Sequence, residues 1–100
     1  MLTKNEFKVI AAIDASEYGE FLVDRVWTFT ITDHSDLSGK TISGTVASLV
    51  KKGFVKVAGD GREGSEYEIG LTSAGIDAYL DACKARGVTP QKEREWIEKK

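Results

Sequence analysis

The sequence predicts an α+β domain, mainly helical, with one small antiparallel β-hairpin. Three observations carry that expectation. Apolar residues recur at helical spacing in four stretches, each opened by a Thr, Asp or Ser in capping position. One pair of alternating apolar runs, Phe54 to Val57 and Tyr67 to Leu71, flanks the glycine-rich stretch AGDGREGSE. The chain has 100 residues, enough for one modest core and one domain.

The first helix is marked at its start. Thr3 and Glu6 have the spacing of a capping box, and Leu2 and Phe7 that of a hydrophobic staple. Phe7, Ile10 and Ala11 give one apolar face, with Val9 and Ile13 beside it, and Gly19 is a natural stop. Glu20 to Val23 reads as extended. Asp24 is placed to cap a second helix, with Val23, Val26, Trp27 and Ile31 at helical spacing and Trp27 in the core. The same stretch also alternates Trp27, Phe29 and Ile31 between threonines, a strand pattern. The helix is preferred because a turn-rich segment, DHSDLSGK, and another helix follow.

Ser38 can cap that third helix. Ile42, Val46, Leu49 and Val50 fall on its inner face, and Gly53 ends it. The hairpin comes next. Thr72 then caps a fourth helix with Ile76, Tyr79, Leu80 and Cys83 inward, closed by Gly87. Thr89 followed by Pro90 fits a cap and a first helical position, so residues 88–100 read as a short C-terminal helix or tail beyond a domain of residues 1–87.

Composition excludes several classes. The chain is 41% hydrophobic and 30% charged, which argues against a fibrous or disordered protein. One Cys cannot form an intrachain disulfide, so a reducing, cytoplasmic setting is expected. One Cys and one His cannot complete a zinc site, and no metal or other cofactor is expected. The N-terminal apolar run is bracketed by Glu6 and Asp14, too short and acidic for a secretory signal, and nothing later could span a bilayer. The glycines of GDGREG precede no helix, so they fail the context test for phosphate binding. Cys83 reads as a buried small hydrophobe and His34 as an exposed loop residue. No nucleophile, base and orienting group come together, so no enzyme is expected.

The net charge is −2, but it is unevenly placed. Residues 1–37 carry −4 and residues 60–100 carry −2. Residues 38–59 carry Lys40, Lys51, Lys52 and Lys56 with no acid, a local +4. Local charge governs association with a polyanion.

Three helices, the third basic, followed by a two-stranded hairpin is the element order of a winged helix-turn-helix. The segment TISGTVASLVKKGFV resembles the recognition-helix signature of MarR-type winged-helix regulators. Asp60-Gly61-Arg62 is similar to the Asp-x-Arg of their wing. Ile69-Gly70-Leu71-Thr72-Ser73-Ala74-Gly75 resembles the return strand and next helix. The resemblance covers Thr3 to Cys83. It implies a transcriptional regulator that places its third helix in the major groove of double-stranded DNA and its wing alongside.

At about 100° per residue, Lys40, Gly44, Ala47, Ser48 and Lys51 point outward, with Thr41 and Ser43 on the flanks. These small side chains let a helix enter a groove about 12 Å wide. Lys40, Lys51, Lys52 and Lys56 can neutralise phosphates, and Arg62 can reach a minor groove from the wing. One such domain reads few base pairs, so a homodimer on two half-sites is expected. Its surface would be the C-terminal segment around Trp96 or the exposed side of the fourth helix. The alternative, favoured by the acidic pI of about 5.4, is a winged-helix protein-interaction module, an adaptor or small inhibitor such as a phage encodes, without DNA binding.

Overall fold

A computed structural model describes residues 2–17, 21–58 and 68–92. The elements run α1 (Lys4–Ala15), β1 (Val26–Trp27), α2 (Thr28–His34), α3 (Gly39–Lys51), β2 (Val55–Ala58), β3 (Glu68–Leu71) and α4 (Ser73–Arg86).

Local chemistry sets most helix ends. The Thr3 hydroxyl accepts from the Glu6 amide while Glu6 accepts from the Thr3 amide, completing the capping box. Ser38 accepts from the Thr41 amide at the start of α3, and Thr72 from the Gly75 amide at the start of α4. Gly53 and Gly87 take positive φ, 78° and 69°, just beyond α3 and α4. The end of α1 departs from expectation. The helix stops at Ala15 with Ser16 as its extended C-cap, before Gly19, which lies outside the described residues.

The stretch after α1 also differs. Asp24 caps no helix; its Oδ2 accepts from the Phe21 amide at 3.0 Å. Leu22 and Val23 form a turn instead of an extended run. Val26 and Trp27 then form a strand, and only from Thr28 does the chain turn helical, with no side-chain cap. The helical reading holds only from Thr28, and the alternation of Trp27, Phe29 and Ile31 marks no strand, because Phe29 and Ile31 lie in α2. Trp27 is not in the core: it lies outward and is 44% exposed.

The strand β1 makes the sheet three-stranded rather than a bare hairpin, in the order β1-β3-β2, all antiparallel. Val26 pairs with Ile69, and Ile69 with Val57; Trp27 pairs with Glu68, and Glu68 with Ala58. The expected strand residue Phe54 sits just before β2, half-buried, and Tyr67 lies outside the described residues.

Beneath the sheet, α1 packs on α2, α3 and α4. Val9, Ile10 and Ile13 of α1 meet Ile31, Ile42, Val46, Leu49, Val55, Ile69, Leu71, Ile76, Tyr79 and Cys83 in one buried cluster. Each fully buried aliphatic residue contributes about 1.5–3 kcal/mol relative to exposure. Leu80, expected inward, is half-buried at the margin. The base of the hairpin is closed by Thr72, whose amide donates to the Phe54 carbonyl at 3.0 Å and whose hydroxyl donates to the Gly53 carbonyl at 2.6 Å. α4 crosses so near this point that a Cβ on Gly75 would overlap the Phe54 carbonyl.

Beyond Gly87 the chain forms no helix through Lys92. It returns to the buried carboxylate of Asp14, which accepts from the amides of Gln91 at 2.8 Å and Lys92 at 2.7 Å. The Lys92 ammonium donates to the Ile13 carbonyl at 3.0 Å. The rest of the expected C-terminal helix, Trp96 included, lies outside the described residues.

Candidate nucleic-acid interface

Helix α2, the Ser35–Leu37 turn and α3 form the helix-turn-helix unit. The turn is pinned to α1 by an ion pair from Lys8 to Asp36 at 3.2 Å. Its Lys8 hydrogen bond, reinforced by the ammonium charge, holds the Asp36 carboxyl below the usual carboxylate range. His34 closes α2 rather than lying in the loop; its ring Nδ1 is 3.0 Å from the Thr30 carbonyl oxygen.

Helix α3 buries Ile42, Thr45, Val46 and Leu49. Lys40, Ser43, Gly44, Ala47 and Lys51 are exposed, on one face, as their spacing requires. Nothing lies within 4 Å of where a Cβ on Gly44 would stand. The face is therefore shallow in the middle, with a cation toward each end.

Ser48, expected on that face, is half-buried, and Lys52, expected to neutralise phosphate, is exposed but already paired. The Ser48 hydroxyl donates to Glu6 Oε2 at 2.7 Å, and the Lys52 ammonium donates to Glu6 Oε1 at 2.8 Å. Thr41 is half-buried; its hydroxyl accepts from Ser38 and its carbonyl accepts from Thr45. The stripe Thr41, Thr45, Ser48, Lys52 thus forms a seam along α3, and its C-terminal end faces α1. The exposed face is correspondingly turned toward the other flank. Val50, expected inward, is 42% exposed there.

Glu6 organises this seam while only 1% exposed. Burial alone would raise its carboxyl pKa. Hydrogen bonds from Lys52, the Thr3 amide and Ser48 outweigh that effect and lower it to about 2. Sequence reading assigned Glu6 to the capping box and could not see its second task, because Ser48 and Lys52 are distant in sequence.

Lys56 is exposed on the outer face of β2, opposite Gly70. The Arg25 side chain lies over Gly70, its Cγ 3.0 Å from where a Cβ would be. A glycine there gives the arginine a bed. Arg25, just before β1, and Lys56, on β2, therefore lie on either side of Gly70, their backbones about 10 Å apart by strand spacing. Arg25 had no local signal, since only the sheet register brings it beside Lys56. Arg62 and the Asp60-Gly61-Arg62 motif lie outside the described residues. Among the described residues, no cluster of His, Cys, Asp and Glu is placed to hold a metal ion, and no helix is long and apolar enough to cross a membrane. Cys83 is buried on α4, as expected.

An α+β domain with a helix-turn-helix, a three-stranded antiparallel sheet and a β2–β3 wing is a winged helix. Among solved structures the chain is similar to RosR of H. salinarum, with a TM-score of 0.61 over 85% of this chain and 74% of that one. The two are 16% identical, so the likeness is one of fold. No protein-family model matches the chain, and no curated protein sequence does.

Proposed function

We propose that this winged helix is a small, sequence-specific DNA-binding protein that regulates transcription by occupying an operator. Helix α3 enters the major groove with Lys40, Ser43, Gly44, Ala47 and Lys51 leading, and Val50 beside them offers an apolar contact to a thymine methyl. Lys56 and Arg62 serve the flanking phosphates and minor groove. The observation that carries this reading is the exposed, small-residue face of α3 between two lysines, in a segment without acids. The fold shared with RosR supports it at the level of architecture, and the motifs of residues 41–75 support kinship with MarR-type regulators. The reading includes no catalytic step and a cytoplasmic site of action.

A single α3 reads too few base pairs for useful specificity, so two copies would bind adjacent half-sites. The exposed side of α4 offers a surface for that pairing. A groove of about 430 Å³ there is lined by Leu2, Ala78, Ala82, Ala85, Asp81 and Arg86.

The test is fluorescence anisotropy of a labelled mixed-sequence duplex at two salt concentrations. The reading expects dissociation constants of about 10⁻⁴ to 10⁻⁶ M, weakening steeply with salt. Lys40→Glu and Lys51→Glu should each weaken binding and flatten the salt dependence. No binding by the wild type at about 50 mM salt, where phosphate contacts are strongest, would overturn it in favour of a protein-interaction module.

A further inference from the structure

Lys52 belongs to the acid-free segment and stands at the end of the recognition helix, one residue from Lys51. By charge count it is a phosphate ligand. By geometry it already has an anion: Glu6 Oε1, at 2.8 Å. We propose that Glu6 is a positioning residue that withholds Lys52 and Ser48 from nucleic acid and so sets how many phosphates α3 neutralises. This inference rests on the DNA-binding reading above.

The physical basis is an unequal competition. Glu6 is 1% exposed, whereas the Lys52 side chain is 37% exposed. A phosphate offers Lys52 a charge in water-like surroundings, where an exposed pair is worth little. Leaving Glu6 would strip a buried carboxylate of the one cationic partner it has among the described residues, which is far more costly. Glu6 also holds α3 by a second atom, Oε2, through Ser48, so the pair cannot swing outward as a unit. The capping box fixes Glu6 in turn, because Oε1 accepts from the Thr3 amide at 2.8 Å. Lys52 therefore belongs to the α1–α3 junction and not to the binding face.

The test compares salt dependence for the wild type, Glu6→Gln, and Glu6→Gln with Lys52→Gln, on the same mixed-sequence duplex. Lys51→Gln calibrates the loss of one contact, a change of about 0.9 in the slope of log affinity against log salt. Freed from Glu6, Lys52 should add one contact. Glu6→Gln should then steepen the slope by about 0.9, an extra loss of about 3.5-fold over a fourfold rise in salt. The double variant, which removes the pair without changing net charge, should return the slope to wild type.

An unchanged slope in Glu6→Gln overturns the proposal, as does a double variant shallower than wild type. Thermal melts confirm that each variant is folded. If the Glu6 variants fail to fold, Lys52→Gln decides: an unaltered slope supports withholding, and a slope reduced like that of Lys51→Gln refutes it. A wild type that binds no duplex overturns the DNA-binding reading and this inference with it. A wrong slope in a protein that does bind overturns this inference alone.

Discussion

The Tyr79 hydroxyl donates to Oδ2 of Asp14 at 2.6 Å, a bond across 65 residues that joins α4 to α1 inside the core. Burial, and then the Asp14 carboxylate, keep the phenol well above its ordinary pKa, so it remains a donor. The same carboxylate holds the two amides of Gln91 and Lys92. One side chain thus secures two helices and the chain that follows them.

Breaking this bond should be among the costliest single changes in the domain. Tyr79→Phe should lose about 2 kcal/mol, the usual worth of a hydrogen bond to a charged group. Asp14→Ala strands three donors and should lose about 3 kcal/mol or more. Urea unfolding measures both; an Asp14→Ala variant within about 0.5 kcal/mol of wild type, the usual range for inconsequential surface changes, would contradict this account.

The Glu6 carboxyl makes stability depend on acid in a defined window. Its folded pKa of about 2 lies below the ordinary 4.5, so the folded state favours the ionised form. The contribution is fully present above pH 4.5 and is lost as pH falls toward 2. The shift corresponds to about 3 kcal/mol. Stability measured from pH 6 down to about 2 should fall more steeply in wild type than in Glu6→Gln, whose curve lacks this proton uptake. Parallel curves would show that Glu6 is not the group responsible.

Two glycines should respond in opposite ways to the same substitution. Gly75→Ala forces a methyl into the Phe54 carbonyl and should cost about 3 kcal/mol or unfold the domain. Gly44→Ala meets open space in the middle of α3 and should stabilise by about 0.5–1 kcal/mol. Denaturant midpoints of the two variants check the pair. Equal effects would mean that α4 does not approach Phe54 as closely as described.

Gly44 also separates stability from binding. Gly44→Leu should raise the melting temperature through helix propensity. On a mixed-sequence duplex it should bind several-fold more weakly, because a long side chain holds the helix off the groove floor. A Leu variant that binds as well as wild type would move the binding surface away from this face.

Much of this fold was legible because its signals are local. Thr3, Ser38 and Thr72 announce helix starts by hydrogen bonds three residues long. Ile42, Val46 and Leu49 announce a buried face by spacing alone. What escaped was set by partners far along the chain. Val26 and Trp27 are strand only because Ile69 and Glu68 lie beside them, and no local pattern could divide that segment at Thr28. The candidate site was readable to the same depth. Lys40, Gly44, Ala47 and Lys51 were placed correctly by helical geometry. Ser48 was expected outward and is half-buried, and Lys52 is exposed but carries an anion beside it, because Glu6, 42 and 46 residues away, draws both toward α1. Val50 was expected inward and is exposed, since a helix turned to bring one flank inward must bring the other out.

The two bonds from Thr72 to Gly53 and Phe54 close the hairpin at its root, independently of the nine residues, 59–67, that join its strands. A root closed in this way holds the two strands together at their base, and a longer connection adds about 0.6 kcal/mol of closure cost for each doubling. The described part of the domain offers a socket at that point. A laboratory seeking a new target preference could graft foreign sequences between Ala58 and Glu68 and leave the helices untouched.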